Sequence, residues 1–329
     1  MKERTYVDDV DRSVYDIKDE ENDAYRIKSG LDASIVEKIS KEKNDPVWMQ
    51  NFRLQSLQIY NELKVPNWGP PIDGLNMDNI ATYVRPNTRM TAKWSEVPED
   101  FKNTFERLGI PQAERKSLAG VGAQYDSELV YHNVREEVAS QGVVYTDMES
   151  ALKGEYADMV KKYFMKLVRP NDHKFAALHG AVWSGGSFVY VPPGVSVEIP
   201  LQSYFRLNAP GAGQFEHTLI IVDEGADLHF IEGCSAPKYN IANLHAGCVE
   251  LFVKKNARLR YLDWHGDIHA SWSIRIRILP RWSGYWANGR SMGLNRCCCS
   301  CFFSISSISG ICCYSLCCKG TELSYISKW

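Results

Sequence analysis

Between Phe188 and Tyr261 a turn followed by an alternating strand occurs three times at a constant interval. Val191-Pro-Pro-Gly194-Val195-Ser-Val197-Glu-Ile199 is followed by Val222-Asp-Glu-Gly225-Ala226-Asp-Leu228-His-Phe230, and then by Val253-Lys-Lys-Asn256-Ala257-Arg-Leu259-Arg-Tyr261. The turn residues Gly194, Gly225 and Asn256 lie 31 residues apart. Glycine and asparagine are the residues that most readily take a positive φ. After each turn the side chains alternate apolar and polar, the period of a half-buried strand. A turn and strand at a fixed interval restrict the chain to a repeat architecture, a β-solenoid whose coils stack apolar faces on one another.

The rest of the chain is organised around that stretch. Its 329 residues suffice for two domains and a sizeable core, and 44% apolar with 24% charged residues is the balance of a soluble globular chain. A net charge of −2 lacks the basic surplus of a nucleic-acid binder. The N-terminus, Met1-Lys-Glu-Arg, leads into acidic residues with no apolar segment of a secretory signal. Only Cys234 and Cys248 precede residue 290, and the other eight cysteines fall between Cys297 and Cys318. A cysteine-poor body fits a reducing cytoplasm.

Residues 1–30 are highly charged and are expected to form a mobile arm. Residues 31–175 are expected to form a mainly helical N-terminal domain. Ile35, Val36 and Ile39 mark one helix, and Asp45-Pro46 starts a second as N-cap and first-turn proline. Pro98 opens another with Phe101, Phe105 and Leu108 inward, and a further helix is expected from about Asp147 to Leu167. Alternation from Phe188 onward places the strand-rich core at 176–261, and 262–329 is a Cys/Ser-rich tail of irregular structure.

Several segments resemble a known family. Ala119-Gly-Val-Gly-Ala-Gln-Tyr-Asp-Ser-Glu-Leu-Val-Tyr-His-Asn133, Asn171-Asp-His-Lys-Phe-Ala-Ala, Ala181-Val-Trp-Ser-Gly-Gly-Ser-Phe188, Ile199-Pro-Leu-Gln-Ser-Tyr-Phe-Arg-Leu-Asn208, Gly213-Gln-Phe-Glu and Phe230-Ile-Glu-Gly-Cys-Ser-Ala-Pro237 are similar to the SufB family of Fe–S cluster assembly scaffold subunits. The similarity extends to Tyr261, about four-fifths of the chain. It implies an α+β chain with a helical N-terminal domain and a right-handed parallel β-helix, incomplete here. It implies a cytoplasmic complex with a SufD paralogue and a SufC-type ATPase. Sulfur would arrive as persulfide from the cysteine desulfurase SufS through SufU or SufE. The cluster is transient cargo whose ligands cannot be placed in this chain. ATP hydrolysis would belong to SufC, and this chain has no Gly-x4-Gly-Lys-Ser/Thr loop.

Cys234 follows Gly233 at a strand end, where a thiolate could attack a persulfide; by residue type alone a buried structural thiol is the favoured reading. The resemblance makes it the sulfur acceptor. It also places Arg206 and Asn208 on the sulfur path, where a guanidinium would stabilise a persulfide anion and an amide would hydrogen-bond it. The bland alternative is a surface arginine and a turn asparagine. Glu232 fits a solvated strand residue and Cys248 a core thiol. His265 and His269 have i,i+4 spacing without the glutamate of a zinc protease helix.

After Tyr261 the tail departs from the family pattern. A shifted reading frame accounts for its cysteine and serine runs and few acids. Two other accounts are a membrane anchor over Cys297–Cys318, 22 residues without a charge, and a metal site, for which Cys297-Cys298-Cys299 lacks C-x2-C spacing. The expected function is a scaffold subunit that accepts and passes sulfur, without enzymatic activity of its own. The alternatives are a non-functional frameshifted product or a carbohydrate-active β-helix protein, which would need paired acids on one coil face. Neither nucleic acid nor membrane is expected as a partner.

Overall fold

A computed structural model of the protein describes residues 17–66, 74–108, 117–265, 274–278 and 312–317, with side chains through Leu262. Strand β1 (Asp23–Arg26) pairs antiparallel with β2 (Val84–Pro86). Residues 17–30, expected within a mobile arm, are therefore held to the body. Asp19 accepts hydrogen bonds from Thr104 and Tyr125, each at 2.7 Å.

Between these strands lie helices Ala33–Lys43 and Val47–Glu62. The first is capped by Asp32, whose carboxylate accepts from the Ile35 amide at 2.9 Å, and stopped by Asn44 at φ 51°. Its Ile35, Val36 and Ile39 are buried as the spacing predicts. The second begins one residue later than expected. Pro46 occupies the cap position, and the Asp45 carboxylate instead takes Arg53 Nε at 2.7 Å.

Helix Glu99–Leu108 buries Phe101 and Phe105. Two strands follow that a mainly helical 31–175 did not anticipate: β3 (Gly120–Tyr125) and β4 (Glu128–Val134), an antiparallel pair. A short helix, Glu136–Ala139, leads to β5 (Val144–Asp147). The single helix expected over 147–167 is two, Met148–Lys153 and Ala157–Tyr163, with Gly154 ending the first. Of the residues that helical spacing points inward, Leu152, Val160 and Phe164 are buried and Tyr156 is half-buried. Helix Lys174–Val182 is buried along its whole length from Phe175, so it shows no polar face.

From there the chain visits three sheets in turn through β6 (Ser187–Val191), β7 (Ser196–Arg206), β8 (Gly213–Gln214), β9 (His217–Val222), β10 (Asp227–Ser235), β11 (Leu244–His245), β12 (Cys248–Val253), β13 (Arg258–His265) and β14 (Ile274–Ile278). A last strand, β15 (Cys312–Cys317), comes from the tail. One sheet has the order β15-β13-β10-β7-β3-β4 and the other β14-β12-β9-β6-β5, with β11-β8 as a separate parallel pair. Strands β6, β9, β12 and β14 are mutually parallel, as are β3, β7, β10 and β13. The fold class is thus α+β with largely parallel sheets.

The 31-residue interval is visible in the register. Phe188 pairs with Leu219, Gly213 with Leu244, His217 with Cys248, and Leu228 with Leu259. The three turn residues all have positive φ: 72° at Gly194, 68° at Gly225 and 55° at Asn256. The Gly194 amide donates to Glu224 O and the Gly225 amide to Lys255 O, so the turns stack as well. The enclosed layer is apolar: Val197, Leu228 and Leu259 on one wall face Ile220, Val222, Leu251 and Val253 on the other.

One break in the interval lies in β7. Leu228 pairs with Val197 but Phe230 with Leu201, so two extra residues bulge out near Ile199 and Pro200. Ile199 is accordingly exposed. Proline cannot donate to a ladder and is tolerated at a bulge. A shift of two leaves inward residues inward, because strand side chains alternate with period two.

The ladder does not stop at Tyr261. Strand β13 runs to His265, and β14 adds to β12 in parallel. The tail is not wholly irregular either, since β15 pairs antiparallel with β13. Most of Cys297–Cys318, and His269, lie outside the described residues. No helix among the described residues is long and apolar enough to cross a membrane.

Candidate functional site

Strand β10 carries Leu228, Phe230, Glu232 and Cys234 on one face. Leu228 and Phe230 belong to the enclosed apolar layer. The strand therefore changes from apolar to ionisable toward its C-terminal end while staying buried: Glu232 is 5% and Cys234 2% exposed. The solvated reading of Glu232 is excluded by that burial.

Beside Cys234 stands His245 of β11, its Nδ1 3.8 Å from the sulfur. On the other side of the ring His245 Nε2 meets Glu216 Oε1, from the residue just before β9. Thiol, imidazole and carboxylate form a row, all buried. Burial alone would strip His245 of its proton, but Glu216 first and Cys234 second outweigh it, and the His245 pKa lies well above the ordinary imidazole value. Gly247 makes the room. A Cβ there would sit 2.4 Å from Glu216 Oε1, closer than any real contact. Gly247 lies one 31-residue interval after Glu216.

Arg206 and Asn208 are buried, not a surface arginine and an exposed turn residue. Arg206 ends β7 and pairs with Ser235, whereas Cys234 pairs with Phe205. Neighbouring residues of a strand point to opposite faces, so Arg206 and Cys234 lie on opposite sides of the sheet. The Arg206 guanidinium donates to Ser235 Oγ at 2.8 Å and to Ile17 O. Burial pulls its pKa below the usual value. Asn208 follows the strand. Its amide side chain accepts from Asp19 N at 3.2 Å and donates to Asp19 O at 3.4 Å. Its own backbone amide donates to Asp126 Oδ1 at 2.7 Å. Burial of Asp126 pushes that carboxyl up to about 7, against the two amides it accepts from Ala209 and Asn208. Arg206 and Asn208 are thus brought together over segment 17–19, and Cys234 is not among them.

A second buried cluster lies under the helices. Ligand atoms of His179, His217 and Cys248 fall within 4.8 Å of one another. Three of the four imidazole nitrogens are hydrogen-bonded to other groups, and His217 Nε2 is not. His179 Nδ1 faces Ala246 O at 2.9 Å and its Nε2 meets His217 Nδ1 at 3.0 Å. His217 Nε2 faces Glu250 Oε2 at 3.2 Å. Glu250 in turn accepts the backbone amides of Met165, Leu167 and Val168. Cys248 is fully buried as expected, and burial first, then the neighbouring Glu250, raises its thiol pKa well above the ordinary value. This is a hydrogen-bond network that ties the 165–168 turn to β12.

Sequence reasoning singled out Cys234 and missed its partners. Glu216 closes the segment Gly213-Gln-Phe-Glu, and His245 is one of eight histidines in the chain. The usable signal was the interval itself: a buried acid followed one period later by glycine.

Strands that return every 31 residues, with a cysteine–histidine–glutamate row closing one end of their interior, define a repeat-built α+β protein with a buried cysteine site. Residues 36–203 match the family model of the SufBD protein N-terminal region, and residues 205–277 that of the SUF system FeS cluster assembly SufBD core domain. The chain belongs to the SufBD family of Fe–S cluster assembly proteins. It is 49% identical over 264 residues to the iron–sulfur cluster assembly protein SufB of Bacillus subtilis (strain 168), covering 79% of this chain and 57% of that protein. It is 45% identical over 284 residues to an iron–sulfur cluster assembly SufBD family protein of Staphylococcus aureus (strain MRSA252), covering 85% and 61%. The chain thus spans about three-fifths of the length of these relatives. The core match passes Tyr261 to residue 277, in keeping with β14 on β12, so the family pattern continues further than the sequence suggested.

Proposed function

We propose that this chain acts as a SufB-type scaffold subunit in Fe–S cluster assembly, taking up sulfane sulfur on Cys234 and passing it toward a nascent cluster, its cargo. The observation that carries the reading is the place of Cys234: inside the matched core segment, at the ionisable end of an otherwise apolar interior, against His245. The winding of β6 to β14 is read as the first part of a right-handed parallel β-helix. The domain division of the reading is a helix-rich N-terminal unit followed by that core.

The partners that follow are a SufC-type ATPase, a SufD paralogue, and SufS with SufU or SufE, in the cytoplasm. The chain supplies no ATP hydrolysis in this scheme. Arg206 and Asn208 enter as positioning residues. Arg206 binds Ser235, the neighbour of Cys234, from the far side of the sheet, and both residues anchor segment 17–19.

Cys234→Ser is expected to abolish persulfide labelling of the chain by a desulfurase and its relay protein, read by mass spectrometry of the peptide. Labelling of the variant at the wild-type level overturns the assignment.

A further inference from the structure

We propose that His245, oriented by Glu216, holds Cys234 as a thiolate in a buried imidazolium–thiolate pair, which makes Cys234 the nucleophile toward a persulfide donor. This rests on the sulfur-acceptor reading above and adds the group that activates the sulfur.

The geometry carries the argument. An imidazole has two nitrogens on opposite sides of its ring, and His245 presents one to Cys234 and the other to Glu216. Such a row moves or holds a proton, whereas a chelate would converge all three groups on one point. With Glu216 Oε1 receiving Nε2–H, the second proton of the ring belongs on Nδ1, facing the sulfur. Glu216 is fixed in that role by its setting. It is 3% exposed, Gly247 leaves its carboxylate the space it fills, and its Oε2 has no other hydrogen-bond partner. A lowered thiol pKa beside a histidine cation is the general route to a reactive cysteine.

Other titratable groups lie on the elements packed around this site. Glu232, two residues before Cys234 on its own strand, opposes a thiolate, but from about 7 Å along the strand against 3.8 Å for His245. Glu216 acts from the turn before β9, and His265 of β13 occupies the register position opposite Cys234. Arg206 of β7 lies on the other face. Glu250 and Cys248 of β12, with His217 of β9 and His179, form the separate network under the helices. Among the described side chains, His245 is the cationic group in contact with Cys234.

The step balances without an oxidant. The thiolate attacks the outer sulfur of R–S–SH, a new Cys234 S–S bond forms, the donor S–S bond breaks, and its electron pair leaves with R–S⁻. The product Cys234–S–SH can lose its proton to solvent, and its persulfide anion then takes the thiolate's place beside the imidazolium. Cys234 lies at the end of β10 that leads into the exposed connection 238–242, on the side from which a donor would come.

The test is the thiolate absorbance near 240 nm of the full chain, taken as wild type minus Cys234→Ser and titrated with pH, a measurement that needs no access to the buried sulfur. The expected result is a one-thiolate difference at pH 6.5. In His245→Gln it should fall at least about 100-fold at that pH and return only above pH 8.5, because burial raises a thiol that has lost its cation beyond the ordinary value. Glu216→Gln should shift the midpoint upward by a smaller amount. A wild-type difference that is absent at pH 6.5 overturns the proposal, whatever the variants do. If the difference is present but Cys234 takes no persulfide, the sulfur-acceptor reading fails and the ion pair stands. If labelling persists without the thiolate, the ion pair alone fails.

Discussion

His179 and His245 are both buried, and their neighbours drive them to opposite charge states. His179 has a backbone carbonyl at Nδ1 and His217 at Nε2. Burial first, then the His217 ring, hold its pKa well below 6.5. His245 meets a carboxylate, and its pKa rises well above that value. The consequences for stability have opposite signs. A depressed group stabilises fully above the unfolded pKa, so the His179 contribution is lost as pH falls below about 6.5. A raised group stabilises fully below the unfolded pKa, so the His245 contribution is lost as pH climbs above about 6.5. Urea unfolding at pH 5.5, 6.5 and 7.5 should show the cost of His179→Gln shrinking by up to about 1.4 kcal/mol on acidification, and that of His245→Gln shrinking on going alkaline. Slopes of the same sign in the two variants would contradict these charge assignments. At this scale residue type alone favours a structural thiol at Cys234, and only the family resemblance singles it out. Its partners come from the turn before β9 and from β11, and no local pattern links residues 216, 234 and 245.

The turns are the elements whose chemistry was most nearly readable from the chain. Gly and Asn at a fixed interval required positive φ, and all three positions have it. An added Cβ at Gly225 would have Gly194 Cα, at 4.0 Å, as its nearest neighbour. The cost of Gly225→Ala is therefore conformational and not steric, about 1 kcal/mol. Asn256→Gly should be nearly neutral, since asparagine already accepts this conformation at modest cost. Urea midpoints of the two variants check this, and an unshifted midpoint for Gly225→Ala would mean that the turn relaxes out of its positive φ. The bulge at Ile199–Pro200 was not readable in the same way. Proline inside an alternating run marks an irregularity, but only pairing with β10 shows that two residues are extruded and the inward face is kept. The hairpin of β3 and β4 was missed for a related reason. Ala119–Asn133 was recognised by likeness, and every residue of β3 is buried, so it lacks the alternation that announces a half-exposed strand.

Across the described residues, the helix-rich part and the parallel strands share their buried polar groups. Arg53, from the helix Val47–Glu62, is fully buried and donates to Trp183 O at 2.8 Å while paired with Asp45. Glu250 of β12 holds three amides of the 165–168 turn. Asp126, beyond β3, holds the amides of Asn208 and Ala209 after β7. Strands β3 and β5 complete the two sheets at β7 and β6. Parting the two regions would strip these buried groups of the backbone partners they hold across the boundary, and each such loss costs about 1–3 kcal/mol. Several such losses approach the whole stability of an ordinary domain, about 5–15 kcal/mol. These ties predict that a boundary near residue 175 is a change of texture along the chain and not a seam at which it opens. The described body is expected to unfold as one cooperative unit. Hydrogen exchange read by mass spectrometry across a urea series should show the helices at 33–62 and the strands at 217–235 losing protection at the same midpoint. Loss of protection over 33–62 at clearly lower urea, with 217–235 still protected, would establish two separable units and make these ties too weak to couple them.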